Sequence, residues 1–123
     1  MEQLEQRVIE VTDQGKALLA ALREKIANLN LPGEEVVIPS FESATFTLEH
    51  DLYNGQQTLM ASFYPSPHYR AGFLLFHSDG SCFAEYHVMQ LHPTKPHRFL
   101  EAVEAWVRDG KIMTDIRLVA MPQ

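Results

Sequence analysis

The first thirty residues repeat apolar side chains at helical spacing. Leu4, Val8, Val11, Leu18, Leu19, Leu22, Ile26 and Leu29 fall within about 100° of arc, while Glu10, Asp13, Lys16, Arg23 and Glu24 lie outside it. The spacing predicts one amphipathic helix over residues 2–29. Such a helix is roughly 40 Å long, longer than a typical strand, so part of it should overhang a sheet. Gly15 lies inside the apolar stripe, where a missing side chain permits close approach by other backbone, and Ile9 breaks the pattern. Leu31-Pro32-Gly33 ends the helix, and Pro39-Ser40 ends a short apolar run, Val36-Val37-Ile38, that reads as an edge strand or an extended linker.

From there the pattern changes to alternation, with strands expected at about 43–52, 57–64, 69–77 and 82–90. Asn54-Gly55 and Asp79-Gly80 are signals for two-residue type I′ turns, because both central residues need φ > 0. A two-residue loop fixes the register. It sets Leu48 opposite Ala61 and Phe46 opposite Phe63 in the first hairpin, and Phe73 opposite Tyr86 and Leu75 opposite Ala84 in the second. Pro65-Ser66-Pro67-His68 is short enough to join antiparallel neighbours.

Helical spacing returns over 95–109. Phe99, Leu100, Val103, Trp106 and Val107 share one face, Arg98, Glu101, Glu104 and Arg108 the other, with Thr94 as N-cap and Gly110 at C′. A strand at about 112–120 closes the chain. The expectation is a single α+β domain ordered α-β-β-β-β-α-β, with about five mainly antiparallel strands and two helices. It divides into a long helix (1–30), an acidic sheet region (31–93), and a helix with the final strand (94–123).

Charge sharpens this picture. Of a formal net charge of −6, the outer segments nearly cancel, and residues 31–93 set Arg70 alone against seven carboxylates. A nucleic-acid platform needs the opposite sign, so nucleic acid is excluded as a partner. No apolar run reaches a membrane span, and no basic stretch precedes an apolar one near the N-terminus, so the expected location is cytoplasmic. The lone Cys82 fits a reducing compartment.

Three groups of residues could carry function. His68 and His92 fall at the open end of the second hairpin and His97 could approach them, so the three imidazoles are either divalent-metal ligands or ordinary surface histidines. Tyr64, Tyr69 and Arg70 flank the same loop and could line a ligand pocket there. Cys82 falls across from His77 in the expected register, with Asp79 as an orienting group; a small core side chain is the simpler reading. The third group is a surface. With Ala71, Phe73, Leu75, Cys82, Ala84, Tyr86 and Val88 as the core parity, Leu74, Phe76, Phe83 and Met89 form an apolar second face shared with Arg70, Glu85 and His87. Such a face is either an interface or core under a second helix.

The chain has no phosphate loop, G-x-S-x-G, H-E-x-x-H or C-x-x-C, and no cofactor is implied. The layout is similar to that of small acidic dimeric adaptors such as bacterial secretion chaperones, with no shared motif. The sequence therefore predicts a homodimeric, non-enzymatic interaction module with a possible protein partner. The alternative is a small-molecule or metal-binding protein, including an enzyme, built on the histidine and aromatic cluster.

Overall fold

A computed structural model describes residues 2–33, 35–50, 55–95 and 98–120. One helix, α1 (Glu2–Leu29), lies on a six-stranded antiparallel sheet of β1 (Thr45–His50), β2 (Gln57–Phe63), β3 (Gly72–His77), β4 (Cys82–Leu91), β5 (Arg98–Arg108) and β6 (Lys111–Ala120). The strands lie in chain order, each antiparallel to the one before. The protein is α+β, and its described residues form one α-helix rather than two and six strands rather than about five.

The apolar stripe of α1 makes the core. Val11, Leu18, Leu19 and Leu22 are buried, and Leu4, Val8, Ile26 and Leu29 pack against the same cluster. Full burial of such a leucine contributes about 1.5–3 kcal/mol. Asn30, at φ 51°, takes the left-handed position after the last turn and ends the helix. The close approach at Gly15 comes from a side chain: a Cβ there would fall 2.6 Å from Phe41 Cδ1. Phe41 itself is buried in a single 3₁₀ turn, Phe41–Ser43, and stacks at a tilt on Phe46 of β1, ring centroids 5.2 Å apart. Val36-Val37-Ile38 forms no strand; Ile38 reaches the core from extended chain.

The helix expected over 95–109 is not present among the described residues. Pro96 and His97 lie outside the described residues, and the chain from Arg98 onward is β5. A register shift between Leu100 and Ala102 explains the misreading. The extra residue of a bulge interrupts period-two alternation and leaves core residues Leu100 and Val103 three apart, imitating a helical step. Asp109-Gly110, expected as a helix terminus, is the two-residue hairpin turn between Arg108 and Lys111. Both residues have positive φ, 52° and 76°, as a type I′ turn requires.

Both expected hairpin registers also move. In the first, Leu48 faces Leu59 and Phe46 faces Ala61, two residues from the expected pairing, and most of its turn (51–54, including Asn54) lies outside the described residues. In the second, Phe76 faces Cys82 and Leu74 faces Ala84. Gly80 N–H donates to His77 O, and His77 N–H to Ser81 O, which makes a three-residue loop with Gly80 in the left-handed region. One extra loop residue turns β3 over. Leu74 and Phe76 therefore point into the core beneath α1, while Phe73 and Leu75 take the opposite face.

Candidate functional site

α1 covers one face of the sheet; among the described residues no second layer covers the other. The strand pairing arranges that open face in rows. Met60, Leu75, Phe83, Trp106 and Met113 stand directly opposite one another from β2 to β6. Four inter-strand steps make this apolar row about 19 Å long. Phe83 is half-buried, and its ring centroid is 6.1 Å from that of Phe73. Arg70 holds its guanidinium 4.8 Å above the Phe73 ring and donates to Met60 Sδ, so it borders the same row.

The next row is acidic. Glu85, Glu104 and Asp115 are successive partners across β4, β5 and β6. Like charges directly opposite one another destabilise a sheet, so this row needs a cation. Arg117 supplies it from β6. Its guanidinium donates to Glu85 at 2.5 Å, Glu104 at 3.0 Å and Glu101 at 3.1 Å. The bulge in β5 lets Glu101 join this cluster. Ala102, small and fully buried, stands between His87 and Arg117 in the third row and leaves room for both to lie across the sheet. The hydrogen bond from Arg117 to Glu85 leads the interactions that hold the guanidinium above its usual range, so it is charged at any working pH.

Glu85 is buried and touches a second nitrogen base, His87, whose Nε2 lies 3.4 Å from its carboxylate. The Nδ1 of His87 meets the Tyr69 hydroxyl at 3.2 Å. A polar chain thus runs from Tyr69 through His87 and Glu85 to Arg117, beside the aromatic row.

The residues singled out from sequence distribute as follows. Phe83 lies on the open face; Met89 is exposed in the β4 bulge with φ 58°; Leu74 and Phe76 are core. Tyr69 and Arg70 reach the open face, on His87 and Phe73. Tyr64 instead lines a separate cavity of about 260 Å³ with Val37, Pro39, Phe63 and Tyr86. His68 is exposed in the loop before β3. β3–β4 pairing ends at Gly72 and Tyr86, and β4 continues beside β5 alone, so His92 N–H donates to Arg98 O rather than facing Pro67. Its Nδ1 accepts the backbone N–H groups of Thr94 and Lys95. His97 lies outside the described residues, and among the described ones no three His, Cys, Asp or Glu side chains are grouped to hold a metal. Cys82 is buried opposite Phe76, and burial pushes its thiol up. His77 is engaged elsewhere, with Thr58 Oγ1 at 2.8 Å.

Trp106, Glu104 and Arg117 were missed because the helix expected over 95–109 hid their strand pairing. The Asp109-Gly110 dipeptide was the signal that could have exposed it. These features define a class: a helix-backed antiparallel meander with one uncovered, chemically mixed face. No family model matches the chain, and neither curated proteins nor solved structures provide a match. No helix among the described residues is long and apolar enough to cross a membrane.

Proposed function

We propose that this protein is a non-enzymatic interaction module that binds a protein partner through the open face of its sheet, in the cytoplasm, where Cys82 stays reduced. One observation carries the reading. An apolar row of Met60, Leu75, Phe83, Trp106 and Met113 crosses five strands with no layer over it among the described residues. Aromatic and methionine side chains are enriched where protein interfaces have their centres, and charged groups form the rim. Rigid strands carry the whole surface, so binding needs little ordering of side chains. The apolar stripe of α1 is taken up by the core and is not free to bind a partner.

The test uses tagged wild-type protein and Trp106→Glu as paired baits in extract from the source cell, read by quantitative mass spectrometry. Ile9→Glu, on the exposed face of α1, is the control. The reading expects at least one protein held by wild type and by Ile9→Glu and lost at least tenfold with Trp106→Glu. The same proteins on all three baits would contradict it.

A further inference from the structure

The open face pairs its apolar row with a row of only partly compensated negative charge, and on β4, β5 and β6 the two lie two residues apart. That separation is about 6.7 Å. Arg117 answers Glu85, Glu101 and Glu104 at once, so one guanidinium serves three carboxylates, and Asp115 adds another beside Glu104. Asp115 spends its carboxylate on the Ile116 N–H, which leaves its charge unbalanced. Arg70, seated on Phe73, borders the acidic side of the face at β3, while Arg108 and Lys111 stand opposite one another beyond Trp106 and Met113 on the other flank of the apolar row.

We propose that the partner presents a basic amphipathic helix: an apolar stripe for the Phe83–Trp106 row and Lys or Arg along one flank for Glu101, Glu104 and Asp115. This inference rests on the open face being the interaction surface and adds the chemistry of what it binds. A row of about 19 Å matches about thirteen residues of helix. Flanking cations of such a helix stand within one side-chain length of its apolar stripe, which is the spacing of the two rows. A second copy of this chain fits poorly. Its net charge is also −6, so two copies repel one another at long range, whereas a basic helix is attracted.

The probes are three fourteen-residue helical peptides: a Leu/Lys amphipathic peptide, the same peptide with Glu for every Lys, and a Lys-matched peptide with its leucines scattered around the helix. Binding is followed by amide chemical shifts and by emission of Trp106, the only tryptophan in the chain. The Leu/Lys peptide is expected to move amides of residues 83–87, 104–106 and 113–117, and to bind at least tenfold more tightly than either control. Glu101→Gln/Glu104→Gln/Asp115→Asn should weaken it at least tenfold. Glu10→Gln/Glu24→Gln/Glu42→Gln, an equal charge change away from the face, should leave it within twofold. Circular dichroism of both triple variants verifies that they fold.

If the Glu and Lys amphipathic peptides bind the face equally, the surface is an interface without charge preference and the basic partner is wrong. If sedimentation shows a dimer that Phe83→Glu converts to monomer while no peptide binds, the occupant is a second copy and this inference fails with the reading intact. Peptide shifts confined to residues outside the face, in a monomeric protein, overturn both.

Discussion

At Gly15 the helix lacks a side chain where the Phe41 ring lies against it. Alanine would raise helix propensity by about 1 kcal/mol, yet its Cβ would fall 2.6 Å from Phe41 Cδ1. Overpacking of that kind costs about 1–3 kcal/mol, so Gly15→Ala should lower stability by about 1 kcal/mol in urea unfolding. Adding Phe41→Leu should reverse part of the loss; if Gly15→Ala alone stabilises, the ring is not confined there. Arg117 has a different role, since it keeps three carboxylates together with Glu85 buried among them. Breaking a buried ion pair costs about 3–5 kcal/mol, and the part-exposure of Arg117 reduces this. Arg117→Met should therefore cost about 2–3 kcal/mol at pH 7. Adding Glu85→Gln should recover part of it, and an additive double variant would refute the coupling. Burial raises the Cys82 thiol and, higher up, the Tyr86 phenol. A group raised by folding contributes stability that is complete below its unfolded pKa and lost as pH climbs through the folded one. The urea midpoint should thus fall as pH rises above about 8.5. Cys82→Ala, less stable at pH 7, should show a shallower fall over pH 8–10; identical slopes would remove the thiol from the account.

Each strand that was misread from sequence failed for a local reason. The α1 stripe is legible because a period of 3.6 sustained over 28 residues outweighs the break at Ile9, and the strands at β1 to β4 are legible from alternation between turns. β5 was not, because its bulge at Leu100/Ala102 breaks the alternation that identifies a strand. The second hairpin shows how one residue decides a face. Asp79-Gly80 was read as a type I′ turn, but Gly80 closes a three-residue loop, so Phe73 and Leu75 exchanged faces with Leu74 and Phe76. The open face was therefore half legible: Phe83, Glu85 and His87 were assigned to it, whereas its β3, β5 and β6 contributions depended on loop length and on a strand read as a helix. Backbone chemical shifts decide the element directly. Extended values over 98–108, with helical values over 2–29, are expected; helical values over 98–108 would contradict the fold.

Taken whole, the molecule has a covered face and an open one with opposite chemistry. The covered face joins α1 to buried aliphatic and small side chains, with Phe76 and Leu74 among its most buried members. The open face combines an aromatic row with charges that the protein itself only partly neutralises. Its edge is guarded: Asp115 occupies the Ile116 N–H of the last strand, which blunts strand-to-strand extension and leaves the face rather than the edge as the place to bind. That contrast is the central claim, and site-specific photocrosslinking inside the source cell tests it most directly. With p-benzoylphenylalanine replacing Met113 on the open face, the account predicts a discrete protein adduct. The same probe replacing Ile9 or Glu24 on the exposed side of α1 should give none. Adducts from α1 alone, or equal adducts from both faces, would contradict the claim.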